Sequence, residues 1–90
     1  MEDNKLAKVE IYTGMLCGYC FRAKALFQKK NTPFEEIDVS MNPSARAQML
    51  ERAGGKTSVP QIFINGTHIG GSDDLYELEF DGELDSLLAT

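Results

Sequence analysis

The chain's only two cysteines, Cys17 and Cys20, stand three positions apart inside Tyr12-Thr13-Gly14-Met15-Leu16-Cys17-Gly18-Tyr19-Cys20-Phe21-Arg22. A β-branched run containing Val9, Ile11 and Thr13 precedes them. Phe21 to Lys30 follows without Gly or Pro and puts Ala23, Leu26 and Phe27 on one helical face. The pair therefore falls where a strand hands over to a helix, with Cys17 just before or within the first turn and Cys20 one turn further in. Unpaired N–H groups and the positive end of the helix dipole favour a thiolate over a thiol there, and the thiolate is the species that attacks a disulfide. The same spacing holds two Cα atoms within bridging range, roughly 5.5 Å. One motif thus supplies an attacking thiol and a resolving thiol, joined by Gly18 and Tyr19. Inert buried cysteines, or half of a zinc site, are the alternatives. A four-ligand zinc centre needs more donors, and only His68 and scattered carboxylates remain.

The flanking chain must position these thiols. Leu6 to Thr13 reads as a first strand and Cys20 to Lys30 as a first helix, with Asn31 as a left-handed cap and Pro33 marking the exit. Phe34 to Val39 reads as a second strand whose broken alternation predicts a kink or an edge position. Strand, helix, strand at this spacing is a βαβ unit with parallel pairing. Asn42-Pro43 opens a second helix carrying Ala45, Met49 and Leu50, which Gly54-Gly55 stops. Gln61 to Ile64 is the most apolar strand, and Asn65-Gly66 turns it into an antiparallel return through Thr67, His68 and Ile69. Gly70-Gly71 breaks that strand, and a short helix follows through Leu75 and Leu78, capped by Ser72 or Asp73, or by Asp74 with Glu77 completing a capping box. Gly82 separates a last helix bearing Leu84, Leu87 and Leu88. The fold class is α/β, a four-stranded mixed sheet with helices on both faces.

Ninety residues bound the chain to one domain, 1–90. Met1 to Lys5 is charged and carries no apolar signal core, and no run of eighteen apolar residues occurs, so the expectation is a cytoplasmic protein with no membrane contact. In that reducing compartment a lone C-x2-C points to catalysis or metal binding rather than to a structural staple. The net charge is -5, and Asp73, Asp74, Glu77, Glu79, Asp81, Glu83 and Asp85 follow one another with no Lys or Arg between them. Such a surface repels phosphate backbones, which excludes nucleic acid as a partner. Arg22, Lys24, Lys29 and Lys30 lie on or beside the cysteine helix, where Arg22 and Lys24 are near enough in sequence to bias the thiols. His68, in a returning strand, reads as edge-strand polarity rather than as a base.

Two further stretches carry site potential. Adjacent glycines in Gly70-Gly71-Ser72-Asp73-Asp74 permit close backbone approach, and free N–H groups at the next helix start can hold a carboxylate. A plain turn into a helix explains them equally well. Ser58-Val59-Pro60 precedes the most apolar strand, and composition leaves the Val59-Pro60 isomer open.

Together these stretches resemble the glutaredoxin family, in its small bacterial dithiol form, over nearly the whole chain. The family's tyrosine-threonine and cysteine-proline-tyrosine-cysteine appear as Tyr12-Thr13 and Cys17-Gly18-Tyr19-Cys20. Its threonine-valine-proline appears as Ser58-Val59-Pro60, and its double glycine with an acidic pair as Gly70-Gly71 and Asp73-Asp74. The resemblance implies a thioredoxin-like fold with Pro60 cis and facing the cysteines. It also implies glutathione as reducing co-substrate, held by Val59 at its cysteinyl part, flanked by Tyr19, and received at its γ-glutamyl end by Gly71, Ser72 and Asp73. Ser58 keeps the family's hydroxyl. Gly14 replaces a frequent lysine, a role that Lys56 is placed to take over, and Ser72 replaces a cysteine found in some members. Gly18 replaces the motif's proline and frees one N–H at the helix start.

The activity implied is glutathione-dependent thiol–disulfide exchange on glutathionylated or disulfide-containing proteins, by a monomer. Cys17 attacks and Cys20 resolves. The alternative is a [2Fe-2S] carrier or sensor in which two chains each give Cys17 and two glutathiones complete the ligation. A non-catalytic module docking a partner through its acidic carboxy-terminal region is a third reading, which leaves the three-part motif unexplained.

Overall fold

The computed structural model describes residues 7–89. Eight elements follow in chain order: β1 (Val9–Thr13), α1 (Gly18–Lys29), β2 (Glu35–Asp38), α2 (Pro43–Arg52), β3 (Gln61–Ile64), β4 (Thr67–Gly70), α3 (Ser72–Phe80) and α4 (Leu84–Leu88). Leu6, expected to open the first strand, lies outside the described residues. The sheet runs β2-β1-β3-β4, with β1 parallel to β2 and antiparallel to β3, and β4 antiparallel to β3. This is the expected mixed sheet of four strands.

Alternation along the two central strands builds two cores. Val9 and Ile11 of β1 and Ile62 and Ile64 of β3 face Ala23, Leu26 and Phe27 of α1, Leu75 of α3, and Leu84 and Leu88 of α4. Tyr12 and Phe63 point to the other side, against Val39 and against Ala45 and Met49 of α2. Glu10 shares that second side, where Arg52 of α2 donates to both its carboxylate oxygens at 2.9 and 3.2 Å and to the Tyr12 hydroxyl at 3.0 Å. The guanidinium also lies 4.1 Å over the Phe63 ring. Hydrogen bonds from Arg52 hold the Glu10 carboxyl below the usual glutamate range, and the same pairing raises the Arg52 guanidinium.

β2 is an edge strand with Glu35, Glu36 and Asp38 exposed, which accounts for its broken alternation. Asn42 caps α2 by accepting the Ala45 N–H at 3.1 Å, and Pro43 occupies the first helical position. Asn65 and Gly66 turn the β3–β4 hairpin with φ of 53° and 82°.

β1 and β2 are shorter than expected, and two helix starts are capped by other residues than expected. α1 begins at Gly18 rather than at Cys20, because Cys17 itself is the cap: its sulfur accepts the Cys20 N–H at 3.0 Å. α3 is capped at Gly71, not at Ser72, Asp73 or Asp74. Asp74 is the third helical residue and reaches back to accept the Gly71 N–H at 2.9 Å.

Strand register gathers the site. β1 ends beside the start of β3, where Tyr12 pairs with Gln61, so the loop after β1 meets the segment before β3. β4 also ends there, with Gly70 opposite Ile62. Between Ile62 and Phe63 the register slips, since Phe63 pairs with His68 while Ile62 pairs with Gly70, leaving Ile69 as an extra residue on β4. Three loops, the first some forty residues before the other two, thus open at one end of the sheet.

Candidate active site

Cys17 and Cys20 are joined as a disulfide, with Cα atoms 5.2 Å apart. Their surroundings differ sharply. Cys17 is half-buried at the mouth of the helix, whereas Cys20 is 2% exposed and turned into the fold. The Cys17 carbonyl accepts the Phe21 N–H at 3.1 Å, so sulfur and carbonyl of one residue serve two of the helix's first N–H groups. The hydrogen bond donated by the Cys20 N–H and the helix dipole both stabilise negative charge on that sulfur once the disulfide is reduced.

Across the cleft, Cys17 Sγ lies 3.7 Å from the Val59 carbonyl oxygen, and the Val59-Pro60 bond is cis. Ser58, immediately before them, is fastened from behind. Gln61, 1% exposed, donates from Nε2 to the Ser58 carbonyl at 3.0 Å and lies 3.3 Å from its hydroxyl. Gln61 Oε1 is 2.6 Å from His68 Nε2, so the imidazole carries its proton on Nε2 and donates. The His68 ring stacks on Phe63, 5.0 Å between centroids. Edge-strand His68 is thus tied to the Ser58 loop through one amide.

Tyr19, Lys56, Ser58, Val59, Pro60, Gly71, Ser72 and Asp73 line one groove, together with Gln61 and Asp74. Asp74 belongs to the stretch whose sequence carries site potential, whereas Gln61 has no place in any of the motifs. No local signal sets Gln61 apart from any polar strand start. Gly71 passes close to Pro60: a Cβ on it would meet the Pro60 carbonyl oxygen at 3.5 Å. Gly70 sits at φ 118°, and a Cβ there would collide with the Asp74 carboxylate. Ser72, 4% exposed, has a buried Oγ with no hydrogen-bond partner among the described residues. Gly14 packs so close to Val59 that a Cβ would lie 3.1 Å from Val59 Cγ2, and a lysine there would need Val59 to yield.

Arg22 and Lys24 are engaged elsewhere. Lys24 pairs with Glu36 at 3.0 Å, and the Arg22 guanidinium lies 5.0 Å over the Tyr76 ring. Among the described residues no group of three or more His, Cys, Asp or Glu side chains is arranged to hold a metal ion, and one chain presents only the Cys17 sulfur toward solvent. The described helices include none long and apolar enough to cross a membrane.

A partly exposed sulfur at a helix cap, bonded to a buried one, defines a thiol–disulfide exchange site on a thioredoxin-like fold. A glutaredoxin family model matches residues 9–69. The chain is 52% identical over 83 residues to glutaredoxin 3 of Escherichia coli strain K12, covering 92% of this chain and 99% of that protein. The solution structure of glutaredoxin from Brucella melitensis superposes with a TM-score of 0.82 at 54% identity, over 94% of this chain and 91% of that one. A buckwheat glutaredoxin–glutathione complex superposes with a TM-score of 0.82 at 32% identity, over 91% and 76%. The chain belongs to the glutaredoxin family and is a thiol–disulfide oxidoreductase.

Proposed function

We propose that this chain uses glutathione to reduce protein disulfides and glutathione mixed disulfides in the cytoplasm, with Cys17 as nucleophile and Cys20 as resolving thiol. The observation that carries the reading is the asymmetry of the two sulfurs, one at the surface on a helix cap and one buried behind it. On a glutathione mixed disulfide, the Cys17 thiolate bonds to the glutathionyl sulfur and the substrate leaves as a thiolate. A second glutathione thiolate then attacks that same sulfur, forming glutathione disulfide and returning Cys17. On a protein disulfide, Cys17 bonds to one substrate sulfur and expels the other. Cys20 then attacks Cys17 Sγ, releasing the reduced substrate and leaving the Cys17–Cys20 disulfide for two glutathiones to reduce.

The groove supports glutathione as the reductant. Its α3 end offers backbone N–H groups and the unpartnered Ser72 hydroxyl to a carboxylate, with Asp73 beside them for an ammonium group. Lys56 supplies a cation for the tripeptide's other carboxylate. Val59 presents backbone to the cysteinyl part, and Tyr19 covers it. The buckwheat complex shows that a glutaredoxin of this fold binds glutathione.

The test is turnover of a small glutathione mixed disulfide by single-cysteine variants. Cys17→Ser loses turnover entirely. Cys20→Ser keeps it and loses reduction of protein disulfides. Turnover retained by Cys17→Ser refutes the assignment.

A further inference from the structure

Leu16, next to the attacking sulfur, has its whole side chain in solvent, with a relative exposure of 103%. It also holds φ at 52°, the left-handed region that bulky side chains avoid. Either feature alone is unfavourable, and glycine would remove both. Strained residues of this kind gather at ligand contacts. Scattered apolar residues on a surface need no explanation, but Met15 and Phe21, within one helical turn of Cys17, are also exposed, at 63% and 71%. Leu16 and Phe21 occupy the positions before and after a helix cap at which two apolar side chains commonly close on each other. Here Leu16 stays open. Its loop is pinned, since the Met15 N–H donates to Ser40 Oγ at 2.7 Å and the Ser40 N–H to Asp38 Oδ1 at 2.8 Å. None of the three apolar side chains lines the groove assigned to glutathione.

We propose that Met15, Leu16 and Phe21 form a docking surface for an extended substrate segment whose oxidised cysteine is flanked by an apolar side chain, with Leu16 setting the preference. The inference rests on the thiol–disulfide reading above. Chemistry fixes the occupant. When Cys17 bonds to a substrate cysteine, the two Cα atoms are drawn to about 5.5 Å. The residues neighbouring the substrate's cysteine must then pass over those neighbouring Cys17. Electrons balance as in any exchange: the substrate disulfide gains two and leaves as two thiols, and the Cys17–Cys20 dithiol loses two.

The experiment compares two short peptides, each closed by one disulfide and identical except for Leu or Ser beside the attacked cysteine. The wild-type chain reduces the Leu peptide with a kcat/KM about tenfold higher, the effect of one partly buried leucine. Leu16→Ser and Leu16→Gly both shrink that ratio toward one. Leu16→Gly keeps or raises the unfolding midpoint, because glycine adopts this φ freely, whereas a merely structural leucine would lower it. Equal rates on the two peptides by a wild-type chain that turns over a small glutathione mixed disulfide would overturn the docking surface and leave the reaction standing. Failure on the small substrate too would remove both. Concentration-dependent dimerisation abolished by Leu16→Ser, with no peptide preference, would give the patch to a second copy of the chain and overturn the proposal.

Discussion

Replacing Gln61 by leucine tests whether the groove is held in shape from behind. The amide of Gln61 donates to the Ser58 carbonyl at 3.0 Å and accepts from His68 at 2.6 Å, with the Ser58 hydroxyl a weaker third contact at 3.3 Å. Each well-formed hydrogen bond contributes about 1 kcal/mol net. Ser58 is exposed and regains water when released, and leucine returns part of the loss by burying apolar surface in the same space. The net loss is about 1.5 kcal/mol, which lowers the unfolding midpoint of a chain this size by about 10 °C. Glutathione must then reorder the freed loop, so the same free energy appears in binding as a roughly tenfold rise in KM. kcat at saturation holds, because the bonds from Cys20 and Phe21 to Cys17 do not pass through Gln61. Thermal unfolding and steady-state kinetics on a small glutathione mixed disulfide read both numbers. A lower midpoint with unchanged KM would make Gln61 a structural residue only. No change in either would refute the account of the amide.

Glu10→Gln removes the charge that Arg52 pairs with, costing about 1 kcal/mol at neutral pH by denaturant unfolding. Because the folded-state pKa of Glu10 is depressed, that stability is present above the unfolded value, about 4.3, and is lost as pH falls through the folded value. The wild-type and Glu10→Gln curves therefore converge in acid, and a constant gap down to that range would exclude the ion pair as its cause. Gly70→Ala places a Cβ against the Asp74 carboxylate at φ 118° and destabilises by about 3 kcal/mol in the same assay. A neutral alanine there would show that Asp74 swings away without penalty.

Much of this was legible because the informative residues carry their meaning locally. Cys17 with Cys20, Asn42-Pro43 and Asn65-Gly66 each specify a backbone event within a few positions, and each occurs where expected. Misplaced boundaries have local causes too. Cysteine is not among the usual helix caps, so nothing local marks Gly18 as the start of α1, and Gly71 has no side chain to advertise the cap of α3. Gln61 and His68 could not be read in advance. Their contact crosses the β3–β4 hairpin, from the first residue of β3 to the residue of β4 that pairs with Phe63, and exists only once the two strands are zipped. Leu16 belongs to a third kind: its apolar type is plain, but solvent exposure exists only once the loop is pinned to Ser40.

The extra residue in β4 has a consequence for how the chain tolerates changes in length. Alternation along a strand has period two, so one residue more or fewer exchanges the faces that every later side chain meets. Ile69 resets that count between the hairpin turn and α3, so that Gly70 falls opposite Ile62 and Gly71 beside Pro60. The run from Gly66 to Gly71 is therefore a fixed-length ruler, in which loss of one residue does more harm than any single exchange. The exposed stretch from Gly54 to Ser58 lies in no strand, so a change of length there flips no strand faces, although Lys56 and Ser58 must still reach the groove.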